Sequence, residues 1–276
     1  MEARIIGSPP ESARALHEWF QTPPGQHLLR WERGCLDASV SDVFGYHAIQ
    51  LGLSDIDGLA ANRMPHRWLA LDQAELPAAQ DQAGNSSKTS ERSILGCDYA
   101  ALPFPEQSID LVVLPHTLEL HRDAHACLRE VERVLVPEGR VVVCGLNPAS
   151  LWGLRQRRAR LLRRLGLGEL FLPDAGEFIA YWRLRDWLRL LGFEVETVQF
   201  GVYVPALRQS AWLQRFRWMD RAGARWWPIF GAAYCVTAVK KVRGARLLEA
   251  SWKAAPSPQA APITIANKTR NTQGND

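Results

Sequence analysis

Residues 102–147, LPFPEQSIDLVVLPHTLELHRDAHACLREVERVLVPEGRVVVCGLN, set out one strand, one helix and a second strand with hardly a spare residue. Residues 109–114, apolar apart from Asp110, read as a strand covered on both faces of a parallel sheet. Ala124, Cys127, Leu128, Val131, Val134 and Leu135 then recur at helical spacing. Asp123 is placed to cap the start, and Pro137 with Gly139 ends the pattern before a strand over 140–144. The product is a βαβ unit, which points to an α/β fold with a doubly wound, mostly parallel sheet and helices on both faces.

The ordered series LPF, Asp110 leading a strand, HTLE, then LREVERVLVPEGRVVV resembles the second half of the class I S-adenosylmethionine (SAM) dependent methyltransferases, in the small-molecule group called methyltransferase type 11. The likeness runs from about residue 46 to residue 242. A bacterial subgroup of that family is suggested by WFQTPPGQHLL at 19–29, GYHAIQLGL at 45–53 and GARWWPIFGAAY at 223–234. The resemblance implies a Rossmann-like class I methyltransferase sheet with an antiparallel last strand, and SAM as cofactor.

Outside that unit, residues 12–21 and 24–44 read as two helices, with Pro24 at a first helical position. A strand over 46–51, a helix over 53–63 and a strand over 68–71 follow, with a short third strand over 93–97. A helix over 184–191 closed by Gly192, a strand over 193–200 and a last strand over 234–240 complete the pattern. The domain expectation is a helical extension over 1–45, a methyltransferase domain over 46–243 with an inserted lid at 203–234, and a disordered tail over 254–276.

Composition narrows the rest. A chain of 276 residues with 47% hydrophobic and 22% charged residues is ordinary for a globular protein. It lacks an apolar run of membrane-spanning length and an apolar signal segment at its start, so a cytoplasmic location is expected. Five cysteines without a CxxC pair read as reduced thiols. His121 and His125 stand four apart, but no HExxH pattern accompanies them, and no metal is expected. A net charge of +4 does not call for nucleic acid.

Family cofactor turns carry an acidic residue and three glycines after the first strand. Here Gln50 takes the acidic place, Gly52 is kept, and Ser54 and Ile56 replace the other two glycines. By the resemblance, Gln50, Gly52 and Leu53 border the methionine part of the cofactor. Asp72, twenty residues beyond Gly52, takes the ribose hydroxyls, a spacing that a crossover connection produces. Asp98 and Tyr99 meet the adenine, and Leu114, Pro115 and His116 leave the carboxyl end of the next strand.

Methyl transfer is an in-line displacement that gains chiefly from positioning, so a base is optional; His116, Glu119 and His121 are the candidates. An arginine run, Arg155, Arg157, Arg158, Arg160, Arg163 and Arg164, lies on a helix whose apolar side carries Leu151, Trp152, Leu154, Leu161, Leu162 and Leu165. It suits packing over the sheet, contact with an anionic membrane surface, or an acidic ligand. Trp212, Phe216, Trp218, Trp226, Trp227 and Phe230, interleaved with arginines, suggest a lid over an apolar or amphiphilic small-molecule methyl acceptor. A catalytically silent interaction module and an RNA methyltransferase are the other readings.

Overall fold

The structure is a computed structural model and describes residues 9–72, 93–163, 166, 170–173 and 176–241. The residues Arg164 and Leu165 and the tail expected over 254–276 lie outside the described residues. Two helices, α1 (Pro9–Phe20) and α2 (Pro23–Val40), precede the first strand. Thr22 caps α2, its hydroxyl accepting from Gly25 N, with Pro23 and Pro24 in the first turn, where a missing N–H costs nothing.

Seven strands follow: β1 (His47–Leu51), β2 (His66–Leu71), β3 (Ser93–Gly96), β4 (Ile109–Pro115), β5 (Leu135–Leu146), β6 (Phe193–Gly201) and β7 (Ala233–Lys240). Their order is β3-β2-β1-β4-β5-β7-β6, with β7 antiparallel to both neighbours and the other pairings parallel. This is the doubly wound sheet expected, with its switch point between β1 and β4. Alternation along the strands divides the core into two. Leu111, Val113, Val142, Cys144 and Cys235 face α1 and α2. Val112, Leu114, Val141, Val143 and Val236 face α4 (Ala124–Val134) and α6 (Tyr181–Leu190). Between these lie the single turn α3 (Thr117–Leu120) and α5 (Leu151–Arg163), while α7 (Ser210–Arg215) and α8 (Trp218–Trp226) sit between β6 and β7.

The segment quoted at the outset holds itself together through side chains as well as strands. Asp123 accepts from Ala126 N and caps α4 as expected. Asp110 accepts from the backbone N–H groups of Tyr46 and His47, pinning β4 to the start of β1. Glu130 accepts from Leu102 N and from Arg133, whose guanidinium also donates to the carbonyls of Leu102 and Phe104. The LPF turn is thus fastened to α4 by an Arg–Glu pair, and the Arg133 hydrogen bond holds the Glu130 carboxyl below its usual range.

One expected element is absent. Residues 53–63 form a series of turns and not a helix. Gly58 lies in the middle, and side chains compete with the helical ladder: Asp57 accepts from Leu59 N, and Asn62 donates to the carbonyls of Val40 and Val43 while accepting from Met64 N. Leu53, Ile56 and Leu59 are still buried, so apolar residues at near-helical spacing fill the core without a helix. Strand β5 also begins earlier than expected, directly after α4, and the register shifts between Ile109 and Leu111 as Pro137 and Gly139 are passed.

Replacing Arg133 by Met should remove its bonds to the 102–104 turn and lower stability by about 1–3 kcal/mol, measured by urea unfolding. All five cysteines are free and buried, and burial pushes the Cys35 thiol up to about 12 and Cys97 to about 11. The folded protein should resist a thiol reagent, and all five thiols should react on denaturation without a reductant, counted by mass spectrometry.

Candidate active site

At the carboxyl end of β1 the backbone turns left-handed twice, at Gly52 (φ +76°) and at Leu53 (φ +43°). A Cβ on Gly52 would lie 3.3 Å from the Thr117 hydroxyl and 3.5 Å from that of Tyr99, so the turn meets both closely. Leu53 is not β-branched, but a side chain in this region still costs roughly 1–2 kcal/mol. Gln50 offsets that cost. Its buried amide donates to the carbonyls of Gly52, Leu53 and Ile56 at 3.1, 2.8 and 2.7 Å and accepts from Gly58 N at 2.8 Å. The side chain read as a methionine contact is, in this structure, the internal brace of its own turn.

Asp72 follows β2, half-buried, and its backbone N–H donates to the Tyr99 hydroxyl at 2.9 Å. Asp98 is exposed after β3, its carboxylate accepting from Ala100 N. Thr117 donates to the Leu51 carbonyl, joining the turn after β4 to the end of β1. Gly52, Asp72, Asp98 and Tyr99 therefore gather around the switch-point crevice, where open α/β sheets take their ligands. Thr117 is a member that sequence reasoning missed, although it stands inside the HTLE motif.

His116 lies one residue past β4 in a left-handed conformation (φ +55°) and is wholly buried, as are Leu114 and Pro115 before it. Its Nε2–H donates to Glu32 Oε1 and its Nδ1–H to Glu119 Oε2, each at 2.8 Å. Glu119 Oε1 in turn accepts from Leu146 N at 2.7 Å. Gly145 permits this approach, since a Cβ there would meet the Tyr234 hydroxyl at 2.6 Å and Glu119 Oε1 at 3.1 Å. Burial by itself would lower the histidine pKa, but the charge of Glu32 and the hydrogen bonds to Glu119 and Glu32 raise it to about 10. Burial raises Glu119 against the opposing effect of its bonds to His116 and Leu146. An imidazolium with both N–H groups committed has no lone pair for a proton, so His116 and Glu119 form a structural ion network. Glu32 went unnoticed in the sequence, yet an acid at the centre of the Leu28, Leu29, Cys35, Leu36 stripe was its signal.

His121 has a different setting. Its Nε2 is 3.7 Å from Asp98 Oδ1, and its ring centroid is 5.8 Å from that of Tyr99. It also lines a cleft of about 530 Å³ bounded by Leu118, Asp123, His125, Ile179, Arg183 and Trp187. Among the described residues no group of three His, Cys, Asp or Glu side chains could hold a metal ion.

The family described as "Methyltransferase domain", of type 11, matches residues 57–143. The Escherichia coli (strain K12) protein YafS is 40% identical over 186 residues, 67% of this chain and 68% of its own length. The chain belongs to the class I SAM-dependent methyltransferases. A ubiquinone/menaquinone biosynthesis C-methyltransferase, UbiE of Xanthomonas oryzae pv. oryzae, is 31% identical over 107 residues, 37% of this chain and 42% of its own. The fold is shared with a Thermotoga maritima SAM-dependent methyltransferase described as a possible histamine N-methyltransferase. That match has a TM-score of 0.56 at 15% identity and covers 82% of this chain and 94% of that one. SAM is the cofactor of this methyltransferase family, and the crevice suits it: two carboxylates stand at successive strand ends beside a left-handed turn without a bulky Cβ at Gly52.

Replacing His116 by Gln should destabilise the fold by about 3–5 kcal/mol, because two buried carboxylates lose their counter-charge. The network also has a pH signature. A histidine raised from 6.5 to about 10 contributes fully below pH 6.5 and loses its contribution as pH climbs through 10; the raised Glu119 acts in the same direction. The melting temperature should therefore fall between pH 7 and 10 more steeply in the natural protein than in His116→Gln.

Proposed function

We propose that the protein transfers the methyl group of SAM to a small amphiphilic acceptor seated in the cleft between the 118–125 segment and α6. The observation that carries this reading is the position of His121, which belongs at once to the crevice beside Asp98 and Tyr99 and to the wall of the 530 Å³ cleft. Leu118, Ile179 and Trp187 give the cleft an apolar body, and Arg122, Arg183, Glu177 and His125 give it polar groups. The name of the Xanthomonas relative, a quinone-biosynthesis methyltransferase, supports an acceptor with an apolar body.

When bound, SAM supplies an electrophilic methyl group on a sulfonium. Asp72 would hold the ribose hydroxyls and Asp98 the adenine amine, with Tyr99 as their neighbour. Gly52 and Leu53 border the methionine part, while Gln50 keeps their turn in shape from beneath. Leu114, Pro115 and His116 form the rigid floor at the end of β4, held by the buried ion network. His121 serves as base where the acceptor is an O–H or N–H. In the tautomer that donates Nδ1–H to the Asp123 carbonyl, Nε2 carries the lone pair that takes the proton.

Calorimetric titration with SAM and its demethylated product tests the reading. Asp72→Ala should weaken binding by about 1–3 kcal/mol through loss of a charged acceptor. Neither heat nor a rise in melting temperature at saturating SAM would remove the enzymatic reading and put a silent interaction module in its place.

A further inference from the structure

The outward face of α5 is not the polar surface that a packed helix presents to water. Trp152, Gly153, Gln156 and Ala159 are its buried side, so the side turned away carries Leu151, Leu154 and Leu161. Leu154 is 64% exposed and Leu161 62%. Arg157 and Arg158 are exposed beside them. The insertion between β6 and β7 repeats this chemistry. Trp218 is 63% exposed and Trp226 71%, with Trp227, Ile229 and Phe230 also exposed. Its helices are tied inward by polar groups: Asp220 accepts from Tyr203 N and pairs with His27, and the Tyr203 hydroxyl donates to the Pro228 carbonyl.

The two regions adjoin at the carboxyl end of the sheet. Trp152 donates to the Val204 carbonyl and Arg155 to that of Ala206, while Asn147, at the end of β5, donates to the carbonyls of Ile229 and Gly231. Residues 151–163 and 207–230 together hold ten arginines and one acid, Asp220, leaving 23 basic against 28 acidic residues in the rest of the chain. The charge of the molecule is thus divided, and its basic part carries nine of the thirteen exposed large apolar side chains among the described residues; Phe44, Tyr46, Trp182 and Leu190 lie elsewhere.

We propose that α5 and the 207–230 insertion form a docking face for an anionic lipid bilayer, with Leu154, Leu161, Trp218 and Trp226 entering the interface and arginines meeting lipid phosphates. Arginine-rimmed leucines on one helix face, with exposed tryptophans in the adjoining segment, are the composition of an in-plane interfacial surface. Nucleic acid would use the arginines and the aromatic rings but has no use for exposed leucines, and an apolar protein partner has none for the surplus of positive charge. Among the described residues no helix is long and apolar enough to cross a membrane, so the attachment is peripheral. It is independent of the methyl-transfer reading, since none of these side chains belongs to the SAM crevice.

Co-sedimentation of the full chain with vesicles tests the proposal, comparing phosphatidylglycerol–phosphatidylcholine mixtures with phosphatidylcholine alone. Binding is expected to the anionic vesicles only and to weaken with salt. Arg158→Glu and Arg225→Glu should each lower partitioning about fivefold or more. The pair Leu154→Glu with Leu161→Glu should lower it at least about tenfold. These residues are exposed, and an unchanged melting temperature and unchanged SAM titration in each variant separate loss of docking from loss of the active site. The proposal is overturned by absence of vesicle binding, by equal binding to neutral vesicles, or by leucine variants that bind as the natural chain does. It is also overturned by a dimer in sedimentation velocity that Leu154→Glu dissociates, or by salt-sensitive capture of an RNA oligomer without vesicle binding.

Discussion

His116 lies wholly buried between two carboxylates that supply its counter-charge, and these come from distant pieces of chain. Glu32 comes from α2, Glu119 from the turn after β4, and the backbone N–H that completes Glu119 from Leu146 at the end of β5. Buried ions are expensive unless fully partnered. The N-terminal helices therefore form part of the core that backs the sheet and determine the shape of the carboxyl end of β4.

The same economy governs the turn after β1. A family turn with three glycines needs no support, because glycine enters the left-handed region freely. This chain keeps only Gly52, places Leu53 in a left-handed conformation, and holds the turn with the four hydrogen bonds of Gln50. An amide suits this turn: its two N–H donors are shared among three carbonyls and its oxygen accepts from Gly58 N, whereas a carboxylate could only accept. The expected crossover helix is replaced by turns braced in the same way.

The cofactor crevice and the cleft beside it share His121 and open at the carboxyl end of the sheet, the end from which the 207–230 insertion also departs. Positioning on rigid strand ends and a mixed apolar and basic periphery are compatible because they occupy different layers. Strand ends and buried ions lie beneath the crevice, while Leu154, Leu161, Trp218 and Trp226 lie exposed outside the core.

Residues 102–147 determined the βαβ unit by local means: an apolar run, a capping Asp123, helical spacing and a strand of valines all act between near neighbours. The doubly wound, mostly parallel sheet and its antiparallel last strand followed from the family pattern built on that unit. Tertiary structure alone decided the rest. Glu32 and His116 are 84 residues apart and their pairing has no periodic signature; Gln50 could be read as a ligand contact until the carbonyls around it were seen. The apolar side of α5 was legible as composition. Which leucines faced outward depended on Trp152, Gly153, Gln156 and Ala159 taking the inner face, because burial is settled by what a helix packs against.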